Sequence, residues 1–333
     1  MTTEVGGNGQ KEAPLRIACV QIDCKHGMVE RNRDRILELT KGLKRGDVDL
    51  IMLPEMALSG YIFDKKEDIA PFLEDPSKGE QHSPSLALAV ILASRLNCYV
   101  SIGFPCIGSA FQKTQSSDQV TYQITKPFDA RQQDILPERW PEPAAFNASM
   151  FVDRTGKIIH TFRKHFNYTN DKVWATEGPG FECIKDVPLL GNVCVAICMD
   201  INPYDFQAPF DAFELARFCQ KEEVDTLLMN IAWLASDQEE SEDEGEDQKS
   251  KEEQLQYAQL QHMSYLAQRL LPLFKDQDGQ PQRRLKFIAC NRVGTEAGTV
   301  FAGTSVGMQF TPGSRPCVQG YMGREEGMMV IEM

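Results

Sequence analysis

Residues 191–200 read GNVCVAICMD. The apolar run 193–197, rich in β-branched residues and opened by Gly-Asn, has the pattern of a buried strand. It delivers Cys198, Met199 and Asp200 at its carboxyl end. Two other apolar runs finish in the same way: 48–53 leads into Pro54-Glu55, and 157–163 leads into Lys164. In open α/β sheets, ligand sites gather beyond the carboxyl ends of strands. A carboxylate, an amine and a thiol brought to one edge supply a base, an electrostatic stabiliser and a nucleophile. Each also has a plainer reading: a helix cap or surface charge for Glu55, an exposed Lys164, and a core cysteine at 198 like Cys194 four residues earlier.

Working outward, further short apolar runs bounded by Gly, Pro, Asn or Asp predict strands at 15–22, 98–104, 147–153, 226–231, 286–290 and 304–310. Asp153-Arg154-Thr155-Gly156 supplies a hairpin turn. Helical spacing of apolar residues marks 29–43, and Ser83-Pro84 opens a second helix over 83–96 with a cap and first-turn pair. Two more helices are predicted at 209–219 and 254–271. The alternation of strands and helices predicts an α/β protein, with a mixed sheet because some neighbouring strands lack a helix between them.

The 333 residues have no dividing linker and no internal repeat, so a single domain over 14–333 is expected. The first thirteen residues read as a frayed tail, with neither a signal-peptide apolar core nor the arginines of a transit peptide. The polar, proline-containing stretch 105–143 is expected to be an insertion lying over the surface. Between Asp237 and Glu253 stand ten acidic residues and two lysines, a net of −8 that leaves −5 of the chain's −13 elsewhere. That segment predicts a solvated, mobile acidic loop. The acidic balance argues against nucleic acid as partner, and no run is long enough to span a membrane. Ten scattered cysteines with no CxxC pair indicate reduced thiols and a cytosolic or nuclear protein. The five histidines have no metal-ligand spacing.

Pro54-Glu55-Met56-Ala57-Leu58-Ser59-Gly60-Tyr61, Phe162-Arg163-Lys164-His165-Phe166 and Ala196-Ile197-Cys198-Met199-Asp200 resemble, in order, the glutamate, lysine and cysteine motifs of the nitrilase (carbon–nitrogen hydrolase) superfamily. Asn291–Glu296 and Phe301–Ser305 are similar to its late strand-and-loop signature. The resemblance spans about residues 15 to 310 and implies a four-layer α-β-β-α sandwich. Cys198-Met199-Asp200-Ile201-Asn202-Pro203-Tyr204 departs from the commoner pattern after the cysteine. With Asn230–Leu234, it resembles the fungal protein N-terminal amidase branch, which converts amino-terminal Asn and Gln to Asp and Glu at the start of an N-degron route. The partners implied are protein or peptide amino termini bearing Asn or Gln, and N-degron pathway components.

That resemblance assigns Glu55 as general base, Cys198 as nucleophile, and Lys164 with the Met199 backbone N–H as oxyanion stabilisers. A thioester intermediate is implied, and no metal or organic cofactor is called for. Glu177 is the expected second, supporting glutamate; otherwise it is a loop charge beside a turn. Tyr61, Asp200, Trp233 and Asp237 are candidates for substrate contact. Asp237 is the expected partner of the substrate's α-amine, unless it only begins the acidic loop. Asp200 has an alternative role bracing the turn, and Trp233 one as pocket wall. A Cys198–His165 protease pairing would leave Glu55 and Lys164 unexplained. The competing functions are an ω-amidase-like small-molecule amidase and a non-catalytic scaffold.

Overall fold

Strand β1 (Arg16–Gln21) turns Ile17 and Cys19 to one side and Ala18 and Val20 to the other, and all four are fully buried. A period of two with both faces apolar requires a covering layer on each side of the sheet. A computed structural model, which describes residues 14–108, 121–131, 143–235, 248–275 and 283–333, provides those layers.

The first sheet comprises β1, β2 (Leu50–Met52), β3 (Tyr99–Gly108), β4 (Ala144–Val152) and β5 (Ile158–Arg163). Its far edge is closed by the last strand, β14 (Gly327–Glu332), giving the order β14-β1-β2-β3-β4-β5. The second sheet is built from β6 (Cys183–Val187), β7 (Gly191–Ile197), β8 (Thr226–Asn230), β9 (Leu285–Cys290), β12 (Val306–Phe310) and β13 (Cys317–Tyr321), in the order β13-β12-β9-β8-β7-β6. A two-stranded ribbon, β10 (Thr295–Glu296) and β11 (Thr299–Val300), lies between β9 and β12 in the chain. Both large sheets are mixed: β1–β2–β3 and β7–β8–β9 are parallel, and the flanking pairs are antiparallel.

Ile17, Cys19, Leu50, Met52, Phe151 and Phe162 of the first sheet meet Ile184, Val193, Val195, Leu228, Ile288 and Cys290 of the second. The opposite face of the first sheet packs on α1 (Val29–Leu39) and α3 (Pro84–Leu96), with a one-turn helix α2 (Lys66–Ile69) between them in the chain. The outer face of the second sheet packs on α4 (Glu214–Lys221) and α5 (Gln248–Arg269). This is the four-layer α-β-β-α sandwich expected. Helix α3 starts as its Ser-Pro pair predicts: Ser83 Oγ accepts from the Leu86 N–H at 3.2 Å, satisfying one free donor of the first turn.

A polar bridge crosses the apolar interface between the sheets. Asn230 of β8 accepts from Ser149 Oγ of β4 at 2.7 Å and from Ser101 Oγ of β3 at 3.1 Å. Stranding one such buried group costs about 1–3 kcal/mol, so the bridge helps fix how the two sheets register.

Several expectations need correction. The stretch 105–143 is not wholly a surface insertion: 105–108 complete β3, and 121–131 form bridges through Ile124 to Ile184 and Phe128 to Phe181. Residues 109–120 and 132–142 lie outside the described ones, as do the tail 1–13 and most of the acidic segment. Helix α5 begins at Gln248, so the last six residues assigned to the acidic loop are helical. The short or half-exposed strands β6, β10, β11 and β13 carry too weak an apolar pattern to have been read from the sequence, and β14, although Met328–Ile331 is apolar, was not among the expected strands. No described helix is long and apolar enough to cross a membrane.

Candidate active site

Glu55 leaves β2 on a turn packed against β3. A Cβ at Gly103 would fall 2.5 Å from Glu55 Cα and 2.8 Å from Pro54 O, so glycine alone lets these two backbones touch. Lys164 follows β5, with its backbone N–H bonded to Asn147 O of β4 at 2.8 Å. Cys198 follows β7 with φ +41°, a left-handed conformation that turns the chain sharply at the strand end. Asp200 braces that turn from within: its carboxylate accepts from the N–H groups of Ile197 (2.8 Å), Phe166 (2.8 Å) and His165 (3.0 Å). It thereby ties the Cys198 turn to the Lys164 segment, and it is absent from the cleft wall.

The Lys164 ammonium is fully buried and held 2.7 Å from Glu55 Oε1 and 2.6 Å from Asp171 Oδ2. Asn147 Nδ2 bridges the same carboxylates, donating to Glu55 Oε1 at 2.6 Å and to Asp171 Oδ1 at 2.8 Å. Asp171 also accepts from the Tyr168 N–H at 2.9 Å and the Tyr61 hydroxyl at 3.4 Å. Glu55 Oε1 is thus occupied twice, whereas its buried Oε2 has no hydrogen-bond partner among the described residues.

Burial, reinforced by the negative charge of Asp171, pushes the Glu55 carboxyl up despite the Lys164 ammonium. Burial works against the charge on Lys164, but Asp171 and Glu55 outweigh it and hold its pKa above the ordinary lysine value. Burial and Glu55 push the Cys198 thiol well above its usual value. The resting thiol therefore keeps its proton, and attack needs a base that removes it during the reaction.

The cleft in front of Cys198 is lined by Tyr61, Tyr168, Met199, Asn202, Phe206, Ala232, Trp233 and Leu234. Tyr61 and Trp233, the candidates for substrate contact, line this cleft, and Met199 adjoins Cys198. Asp237 lies outside the described residues. Glu177 is not beside the lysine: it pairs with Arg131 Nη1 at 3.3 Å and accepts from the Tyr204 hydroxyl at 3.3 Å, at the edge of the cluster. The second carboxylate on Lys164 is Asp171, seven residues after it, where the turn after Asn170 folds the chain back over the ammonium. No spacing rule in the sequence separated Asp171 from Glu177. Asn147 was hidden too, as a polar residue within a strand. His165 is consumed structurally, its Nδ1 against Gly178 O at 3.0 Å and its Nε2 accepting from the Ala130 N–H at 2.9 Å.

Residues 16–123 match the carbon-nitrogen hydrolase family, and with the relatives that follow this match supports a hydrolase acting on amide C–N bonds. Among curated relatives, the protein N-terminal amidase of Schizosaccharomyces pombe is 29% identical over 333 residues, covering 96% of this chain and 99% of that one. The protein N-terminal amidase of Saccharomyces cerevisiae is 29% identical over 245 residues, covering 67% of this chain and 45% of its own. A crystal structure of N-terminal amidase with an Asn-Glu peptide shares the fold, with a TM-score of 0.69 at 19% identity, covering 96% of this chain and 98% of that chain.

Proposed function

We propose that this protein hydrolyses the side-chain amide of amino-terminal Asn and Gln residues, releasing ammonia and leaving Asp or Glu. The observation that carries the chemistry is the fully buried Glu55–Lys164–Asp171 cluster beside Cys198, with one Glu55 oxygen left without a partner among the described residues. Similarity to two protein N-terminal amidases, one along nearly its whole length, supports the substrate class.

In the proposed reaction, Glu55 Oε2 takes the Cys198 proton as the sulfur attacks the amide carbon. The oxygen of the resulting tetrahedral species is stabilised by the Lys164 ammonium and the Met199 backbone N–H. Glu55 returns its proton to the departing nitrogen, releasing ammonia and leaving a thioester on Cys198. Glu55 then deprotonates a water molecule that attacks the thioester, and the thiol is restored. Asp171 and Asn147 hold Lys164 and Glu55 in position. Residues 14–333 act as one catalytic domain, since both sheets contribute to the cleft. The product, a new acidic amino terminus, suits an N-degron route. Nine of the ten cysteines are free and buried, and the tenth, Cys317, is free and exposed, which supports a reducing cytosolic or nuclear setting.

The test is ammonia release from Asn-Gly and Gln-Gly, with acetyl-Asn-Gly and Gly-Asn-Gly as controls. Turnover of the first pair alone is expected. Equal turnover of the acetylated peptide would overturn amino-terminal selectivity and favour a small-molecule amidase.

A further inference from the structure

The polar side chains on the cleft wall are few, and one is held in a fixed orientation. Asn202, 3% exposed, lines the cleft four residues after the nucleophile. Its Oδ1 takes a hydrogen bond from the Tyr265 hydroxyl of α5 at 2.6 Å. With that oxygen engaged, Nδ2 is on the other limb of a planar amide, and no described residue accepts from it. Trp233 closes the side beside this pair: its ring lies 5.7 Å from that of Tyr265 and is stacked at 4.9 Å on the buried His262. The result is a pre-oriented amide NH2 in a largely aromatic and aliphatic wall, an arrangement that suits a carbonyl oxygen.

An amino-terminal Asn or Gln carries three polar groups near the scissile bond. Its side-chain carbonyl becomes the oxyanion served by Lys164 and Met199. Its α-amine is a cation and needs an acceptor. The group left for a donor is the main-chain carbonyl of the first residue. We propose that Asn202, oriented by Tyr265, binds this carbonyl and so reads the peptide bond that follows the amino-terminal residue. This rests on the function proposed above and adds the recognition of a second carbonyl.

β-Alaninamide is the Asn side chain and amine without that carbonyl, and it provides the comparison. Asn202→Ala and Tyr265→Phe are compared with wild type on Asn-Gly and on β-alaninamide, the latter as a substrate or, where its turnover is slow, as an inhibitor of Asn-Gly hydrolysis. Loss of one hydrogen bond corresponds to about tenfold in affinity. Asn202→Ala should therefore raise KM for Asn-Gly about tenfold relative to its effect on β-alaninamide, with kcat changed less than KM. Tyr265→Phe should move the ratio in the same direction by a smaller factor, because the amide remains but is free to rotate. An equal loss on both compounds, as from a purely structural role, overturns the proposal, as does an unchanged KM for Asn-Gly. A wild-type enzyme that hydrolyses β-alaninamide but not Asn-Gly would instead overturn the proposed function itself.

Discussion

Asp171→Asn is the most informative single substitution, because the shape is kept and only the acceptor chemistry changes. Each hydrogen bond made to Asp171 comes from a donor: Lys164 Nζ at 2.6 Å, Asn147 Nδ2 at 2.8 Å, the Tyr168 N–H at 2.9 Å and the Tyr61 hydroxyl at 3.4 Å. An asparagine must turn its NH2 toward one side of this ring, setting donor against donor at Lys164 or at Asn147. Breaking a buried ion pair by removing one partner costs about 3–5 kcal/mol. Lys164 keeps Glu55 as a partner, so the lower end of that range applies. If the ammonium is thereby displaced from the developing oxyanion, about 3 kcal/mol in the transition state corresponds to about 10² in kcat. The assay is steady-state ammonia release from Asn-Gly, with urea unfolding alongside. A kcat loss of about 100-fold with a nearly unchanged KM is expected for Asp171→Asn, and only a few-fold change for Glu177→Gln. Near-normal kcat for Asp171→Asn, or a comparable loss for Glu177→Gln, would refute the assignment of the supporting carboxylate.

Four further outcomes follow, three at the active site and one at a buried carboxyl elsewhere. Cys198→Ala should abolish ammonia release while leaving the urea midpoint nearly unchanged; retained turnover would remove the thiol mechanism. Because burial raises the Glu55 pKa and the carboxylate is the working form, kcat/KM should fall as pH drops through a value above the ordinary glutamate range. Glu55→Gln should lower kcat by about 10²–10⁴; a normal kcat would discard Glu55 as base. Glu74, 5% exposed among Ser83 and Ser85, is pushed by burial from 4.5 up to about 7. Its neutral form favours the fold, so that contribution is full below about pH 4.5 and is lost as pH rises through about 7, amounting to about 3 kcal/mol. Urea titrations should show Glu74→Gln gaining on wild type across that interval, whereas parallel curves would refute the protonation argument.

The fold was legible wherever a strand is covered on both faces. The runs at β1, β7, β8 and β9 are continuous and apolar because each packs between a helix layer and the opposite sheet. β13 and β14 stand at sheet edges with exposed faces, and the exposed Val318 and Tyr321 of β13 are separated by Gln319 and Gly320, which breaks the apolar pattern there. At the site, Glu55, Lys164 and Cys198 could be found because each ends a strand. Asp171 could not, since its place over Lys164 is set by how the 164–177 loop folds, and Glu177 fits the same linear pattern. The motif after Cys198 contains Asn202 but gives no sign of its contact, because Tyr265, which orients it, comes from a helix sixty-three residues later.

The division of the cluster between the sheets has a consequence for the newly made chain. Glu55, Asn147, Lys164 and Asp171 come from the first sheet and its loops, whereas Cys198 and Trp233 come from the second. On the roles proposed above, a chain in which only one sheet has formed has either a base with no nucleophile or a thiol with no base. With those roles, the amidase chemistry therefore requires both sheets to be in place. Ammonia release consequently measures completed folding as well as catalysis, and its recovery during refolding should lag the return of secondary structure.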